Sequence, residues 1–208
     1  MHVCMHFFCY GDGKNFCIKN GKAHILKGEI DLKKEEFGLQ TVGKQSICFE
    51  HPPYILSSAS VVGKKEGEGP LGAKFDMICD DDKFGSDTWE EAESTLQKEA
   101  VSLAMGKAKL SPSDIRYIFA GDLLGQTIAT SFGLMDYQIP LFGLYGACST
   151  AGESMALGAM CVAAGYAKRV LTVTSSHFAS AEKQFRYPLE YANQRPLSAT
   201  WTDRKSVV

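Results

Sequence analysis

Between residues 88 and 109 apolar side chains return at three- and four-residue steps. Trp89, Ala92, Leu96, Ala100, Leu103 and Ala104 form one stripe. That period predicts an amphipathic helix packed along one face. Ser111-Pro112-Ser113-Asp114 follows with a capping hydroxyl, a proline at the first helical position and an acid in the first turn, so a brief helical turn is expected. Three compact apolar runs, 116–120, 141–145 and 169–174, read as strands, and each ends in small residues: Gly121-Asp122, Gly146-Ala147-Cys148 and Ser175-Ser176-His177. Residues 46–50, stopped by His51-Pro52-Pro53, are a further strand candidate, expected to open the sheet. Residues 63–72, rich in Gly and charge, read as a long surface loop, and Asp80-Asp81-Asp82 as a solvated acidic turn. Apolar strands separated by helices predict a parallel sheet with both faces covered.

The segment 150–166 is helical in length but apolar on nearly every face, built from Ala, Gly, Ser and Met. Such a helix is expected to be buried, its small residues admitting close neighbours. Ser149 or Thr150 is the expected cap, Glu153 lies in the first turn and Gly165 near the end.

The 208 residues suggest one large domain, or one plus part of another. A net charge of −2 excludes a general basic surface for nucleic acid. Seven irregularly spaced cysteines point to a reducing compartment rather than a secreted disulfide framework. Residues 154–167 are too short to span a bilayer, which needs about 20 apolar residues. Met1–Tyr10 lacks the cationic start of a secretory signal.

Residues 1–44 differ in composition from the rest and show no clear apolar period. Cys4, His6, Cys9, Cys17 and His24 are of metal-ligating type, but their spacing matches no paired-ligand pattern, so no metal site is expected. Lys27-Gly28-Glu29 can be encoded by a purine-rich string like a ribosome-binding site, and Leu32 by an alternative start codon. The stretch is therefore read as an extension, with translation expected to begin at Leu32. At the other end, Ser198-Ala199-Thr200-Trp201-Thr202 looks like the entry to a strand. Residues 203–208 resemble translated adapter sequence, so truncation is expected, with an apolar face left uncovered and poor folding of the chain alone.

Asp122, Cys148 and His177 each follow a strand, on the edge where open α/β sheets gather ligands. A thiol at the start of a helix has its thiolate stabilised, which would make Cys148 a nucleophile; a small residue packed between strand and helix is an equal reading. His177 is either a base or a turn cap. Lys183, Arg186 and Arg195 are either cations for an anionic ligand or ordinary surface.

Gly146-Ala147-Cys148-Ser149-Thr150, between a strand and an all-apolar helix, resembles the thiolase superfamily, in which this Cys accepts the acyl group. Glu68-Gly69-Pro70-Leu71-Gly72, Ala120-Gly121-Asp122-Leu123-Leu124, Ser175-Ser176-His177 and Gln184-Phe185-Arg186-Tyr187-Pro188 together resemble the stage V sporulation protein AD family of spore-forming Firmicutes. The resemblance covers roughly residues 43–202, so the chain divides into 1–44, 45–202 and 203–208. It implies the N-terminal half of a thiolase-like α/β layered fold, a parallel-rich sheet with a buried central helix. It also implies non-catalytic binding of dipicolinic acid, or its calcium chelate, during uptake into the developing spore. Asp122, Cys148, Ser149 and His177 would line that site, with no cofactor and no metal held by the protein. Other implied partners are spore-membrane uptake proteins and a second copy in a homodimer, with the protein cytoplasmic or peripheral on the inner spore membrane. The alternative is an acyl-transferring condensing enzyme using Cys148, which needs a base and oxyanion donors.

Overall fold

The computed structural model describes residues 41–186, with side chains to 184, and the backbone of three earlier strands. Among the described residues the strands are β1 (Val3–Cys9), β2 (Phe16–Lys19), β3 (Lys22–Ile25), β4 (Thr41–Val42), β5 (Ser46–Cys48), β6 (Tyr54–Gly63), β7 (Met77–Cys79), β8 (Tyr117–Gly121), β9 (Leu141–Gly143) and β10 (Arg169–Thr174). The helices are α1 (Lys64–Gly67), α2 (Trp89–Ala108), α3 (Ile128–Leu134), α4 (Thr150–Ala163) and α5 (Phe178–Ala181). The architecture is α/β: a six-stranded sheet, ordered β7-β6-β1-β10-β8-β9, lies between helical layers. β10, β8 and β9 are mutually parallel, as are β6 and β7, while β1 runs antiparallel to both its neighbours. The other five strands therefore all end on one edge.

α2 forms as its stripe predicts. Thr88 closes a capping box, its hydroxyl accepting from the Glu91 N–H while the Glu91 carboxylate accepts from the Thr88 N–H. At the other end Lys109 turns left-handed and stops the helix. Leu96, Ala100 and Ala104 bury against Ala59, Val61, Ile118, Ala120, Leu171 and Val173 of the sheet. On the opposite face Ala159 and Val162 of α4 pack with Phe119, Val170 and Phe49. Alternation along β8 divides its side chains between these two cores, which is why the run is apolar throughout.

Several expectations are corrected. Residues 46–48 do not open the main sheet; β5 belongs to a separate antiparallel sheet ordered β3-β2-β5-β4. The long main-sheet strand that follows it is β6, whose three serines and partly exposed first half hide its period. The loop at 63–72 holds a short helix, α1, and a 3₁₀ turn at Gly72–Lys74. Residues 1–44, without an apolar period, nonetheless supply β1 at the centre of the main sheet. The side chains of Cys4, His6, Cys9, Cys17 and His24 lie outside the described residues, as do residues 187–208 with Arg195. The acidic turn is as expected: Asp81 accepts from the N–H groups of Lys83 and Gly85. No helix among the described residues is long and apolar enough to cross a membrane.

Candidate functional site

Gly121, the last residue of β8, sets how closely the strand ends converge. An added Cβ would lie 2.0 Å from the Leu144 carbonyl oxygen and 2.8 Å from Thr150 Cγ2. Its own carbonyl accepts from the Ser175 N–H at 3.2 Å. The segments after β8, β9 and β10 thus meet at one glycine, and they carry Asp122, Cys148 and His177.

The structure assigns these residues different work. Asp122 is buried and fully engaged: Oδ1 accepts from the Leu124 N–H at 2.7 Å, and Oδ2 from the Thr130 N–H at 2.8 Å and the Thr130 hydroxyl at 2.6 Å. It holds the loop from 122 to 130 in place. Within that loop Gln126 and Thr127 both sit at positive φ, 59° and 50°, a costly conformation for residues with side chains.

A chain of buried hydrogen bonds continues from Thr130. The Gln97 amide donates one hydrogen to Thr130 Oγ1 (2.9 Å) and one to Ser175 Oγ (2.6 Å). Ser175 in turn donates to Glu93 Oε1, and Ser180 to Glu93 Oε2, both at 2.7 Å. The hydroxyls pass their hydrogens to carboxylates, Thr130 to Asp122 and Ser175 and Ser180 to Glu93, so the relay has an acceptor at each end. Burial nevertheless pushes Glu93 up to about 7, aided by repulsion from Asp122 and opposed by the two serine hydroxyls. Gln97 Oε1 is left without a partner.

His177 is buried beside this relay. Nδ1 accepts from the Ala179 N–H (3.1 Å), capping α5, and Nε2 lies 2.9 Å from the Asp82 carbonyl oxygen. A ring whose Nδ1 accepts and whose Nε2 donates is neutral, and desolvation lowers its pKa in agreement. Of its two earlier readings, the cap is the one the structure realises.

Cys148 and Ser149 stand apart, exposed on the 3₁₀ turn Ala147–Ser149 that leads into α4. Neither Ser149 nor Thr150 caps α4 through its side chain. The Ser149 hydroxyl bonds instead to the Gly146 carbonyl and the Glu153 carboxylate, and Thr150 Oγ1 accepts from the Gly146 N–H. A Cβ at Gly146 would meet the ends of the Ser149 and Glu153 side chains, which would have to shift to admit it. Ala147, immediately before the thiol, is held at φ 50°. α4 buries Thr150, Ser154, Gly158, Ala159 and Val162, while Leu157 and Met160 are exposed in the described structure. Lys183 pairs with Glu90 at 2.8 Å, which commits its charge elsewhere; the Arg186 side chain lies outside the described residues. Among the described residues no three His, Cys, Asp or Glu side chains cluster as metal ligands would.

Sequence reasoning missed Glu93, Gln97, Thr130 and Ser175. The signal was the row beside the apolar stripe of α2. Glu93, Gln97, Val101 and Met105 recur every four residues and are all buried, so two polar residues continue an apolar row.

The family model for stage V sporulation protein AD matches residues 43–206. The chain belongs to the stage V sporulation protein AD family. A relative from Bacillus subtilis (strain 168), stage V sporulation protein AD, is 43% identical over 164 residues, 79% of this chain and 48% of that protein. The chain thus spans about half the length of this relative. Among solved structures, the priming β-ketosynthase of the R1128 polyketide biosynthetic pathway matches with a TM-score of 0.38 and 16% identity. That match covers 42% of this chain and 28% of the other, too little to argue from.

Proposed function

We propose that this family member takes part in sporulation by binding dipicolinic acid, free or as its calcium chelate, at the strand-end face and without transforming it. One observation carries the non-catalytic part: both ring nitrogens of His177 are spent on backbone groups, so the nominated base is not available to Cys148. Asp122 then contributes indirectly, through the loop it anchors, and presents no carboxylate to the anionic ligand. Exposed Cys148 and Ser149, at the start of α4 where backbone N–H groups collect, are the residues left to meet the ligand. Delivery to the spore membrane and pairing with a second copy belong to the same proposal.

The left-handed Ala147 before an exposed thiol favours one second reading, acyl transfer through Cys148. Calorimetry with dipicolinate on the intact parent protein, with and without Cys148→Trp, separates the two. The binding reading expects micromolar-or-weaker affinity, about 8 kcal/mol or less, lost in the variant, and no acyl adduct from acyl-CoA donors. Unchanged affinity in a folded variant removes Cys148 from the site, and an acyl mass shift on Cys148 establishes the second reading.

A further inference from the structure

At the other edge of the main sheet, where β8 and β10 begin, an open cleft of about 650 Å³ is lined by residues 112–116, 137–140 and 165–169. We propose that this cleft binds an oxyanion, the phosphate or carboxylate group of a ligand, through Arg116, Lys168 and Arg169. It lies across the sheet from Asp122, Cys148 and His177 and does not depend on the function assigned to them.

The two arginines are neighbours by register. Tyr117 pairs with Val170 across the parallel strands, and one step earlier the Arg116 N–H donates to the Arg169 carbonyl at 3.0 Å. Like charges placed side by side on adjacent strands repel, and Lys168 adds a third positive charge to the same wall. Asp114 is the one carboxylate among the described lining residues. It answers this charge poorly: its Oδ1 is 3.5 Å from Arg169 Nη1, well beyond a charge-assisted bond, and its Oδ2 already accepts from the Ser111 N–H and hydroxyl.

The guanidiniums themselves are underused. Arg116 rests over the Tyr117 ring at 5.3 Å. Arg169 Nε is buried with no hydrogen-bond partner, a donor that folded proteins seldom leave unmade. A guanidinium offers five N–H donors in a planar fork that fits two oxygens of one phosphate or carboxylate. An oxyanion between Arg116 and Arg169 would relieve their repulsion and occupy donors that Asp114 does not reach. The exposed Tyr166 ring and Pro140 supply apolar wall for the remainder of the ligand.

The shared chemistry admits a free anion or a lipid headgroup, and the test takes both. Pyrophosphate is titrated into the full chain by calorimetry at low and high salt, and flotation is run with vesicles of phosphatidylglycerol and phosphatidylcholine against phosphatidylcholine alone. Binding to either probe is expected, weakened at least fivefold by Arg116→Gln and by Arg169→Lys, which keeps the charge but loses the fork. Lys98→Gln, which removes a cation paired with Asp136 elsewhere, should change neither result. Pyrophosphate binding identifies a free anion, and binding confined to the anionic vesicles identifies a headgroup. Should Arg169→Lys unfold, Arg116→Gln decides, since it removes no ion pair among the described residues. Binding to neither probe, or binding that Arg116→Gln leaves unchanged, overturns the proposal.

Discussion

Gly121 can present only a hydrogen to Leu144: a Cβ there would stand 2.0 Å from the Leu144 carbonyl oxygen. The same backbones are locked by the Leu144 N–H, which donates to Ala120 at 2.8 Å, so neither side can withdraw without breaking the ladder. Gly121→Ala should therefore cost more than about 4 kcal/mol or prevent folding, placing it in the rare severe class. Gly152, in the first turns of α4 with nothing near its missing Cβ, is the internal contrast. Gly152→Ala should be neutral or stabilising by up to about 1 kcal/mol. Denaturant titration of both variants checks the pair; similar midpoints would show that the strand ends are not fixed at Gly121.

Asp122→Asn tests whether that residue anchors a loop or contacts a ligand. The amide must turn an NH₂ toward a donor, either the Leu124 N–H or the paired Thr130 groups. A loss of about 1–3 kcal/mol is expected from the unmade bond. Hydrogen exchange at the Leu124 and Thr130 amides should accelerate in the ligand-free variant. Unchanged exchange at both amides, with affinity lost, would make Asp122 a contact residue instead.

Glu93 makes stability depend on pH. Its pKa is raised from 4.5 to about 7 in the folded protein, so the folded state binds the proton more tightly than the unfolded one. Between those values stability must fall as pH rises, by about 3 kcal/mol in all. His177 acts in the opposite sense: its lowered pKa removes stability as pH falls below its ordinary value. The difference between wild type and Glu93→Gln isolates the first effect. The variant should gain relative to wild type as pH rises from 4.5 to 7 and hold that gain above. Parallel curves would show that Glu93 keeps its ordinary pKa.

Thr88→Ala removes one half of the box that starts α2. A loss of about 1 kcal/mol is expected, and Thr88→Ser should restore most of it, since a hydroxyl at this position is what the Glu91 N–H needs. Thermal melts of the two variants read this directly; equal melting of Ala and Ser would remove the cap from the account.

Much of this was legible along the chain. The bounds of β10 and the start of α2 agree with the pattern because local signals are clear there: a short run of Val, Leu and Thr closed by Ser175-Ser176-His177, and a regular apolar stripe that opens at Trp89. β6 escaped because its first half faces outward and carries serines, leaving no alternation to detect. β1 escaped because a strand enclosed by two others draws its order from the partners it pairs with, not from its own period.

The sequence by itself determined that Asp122, Cys148 and His177 lie after successive strands, because a strand run and the turn that ends it are set by residues close in the chain. It also determined the family, since motifs are local strings. Only the tertiary structure decided what each of those residues does. Asp122 is consumed by the loop it anchors and His177 by backbone groups, Cys148 is left outside, and Gln97 with Glu93, each more than twenty residues before the first strand end, joins those ends from α2. Hydrogen-bond partners are chosen by distance in space. Ser175 and Glu93, 82 residues apart, meet only after β10 has been laid beside β8 and α2 across both.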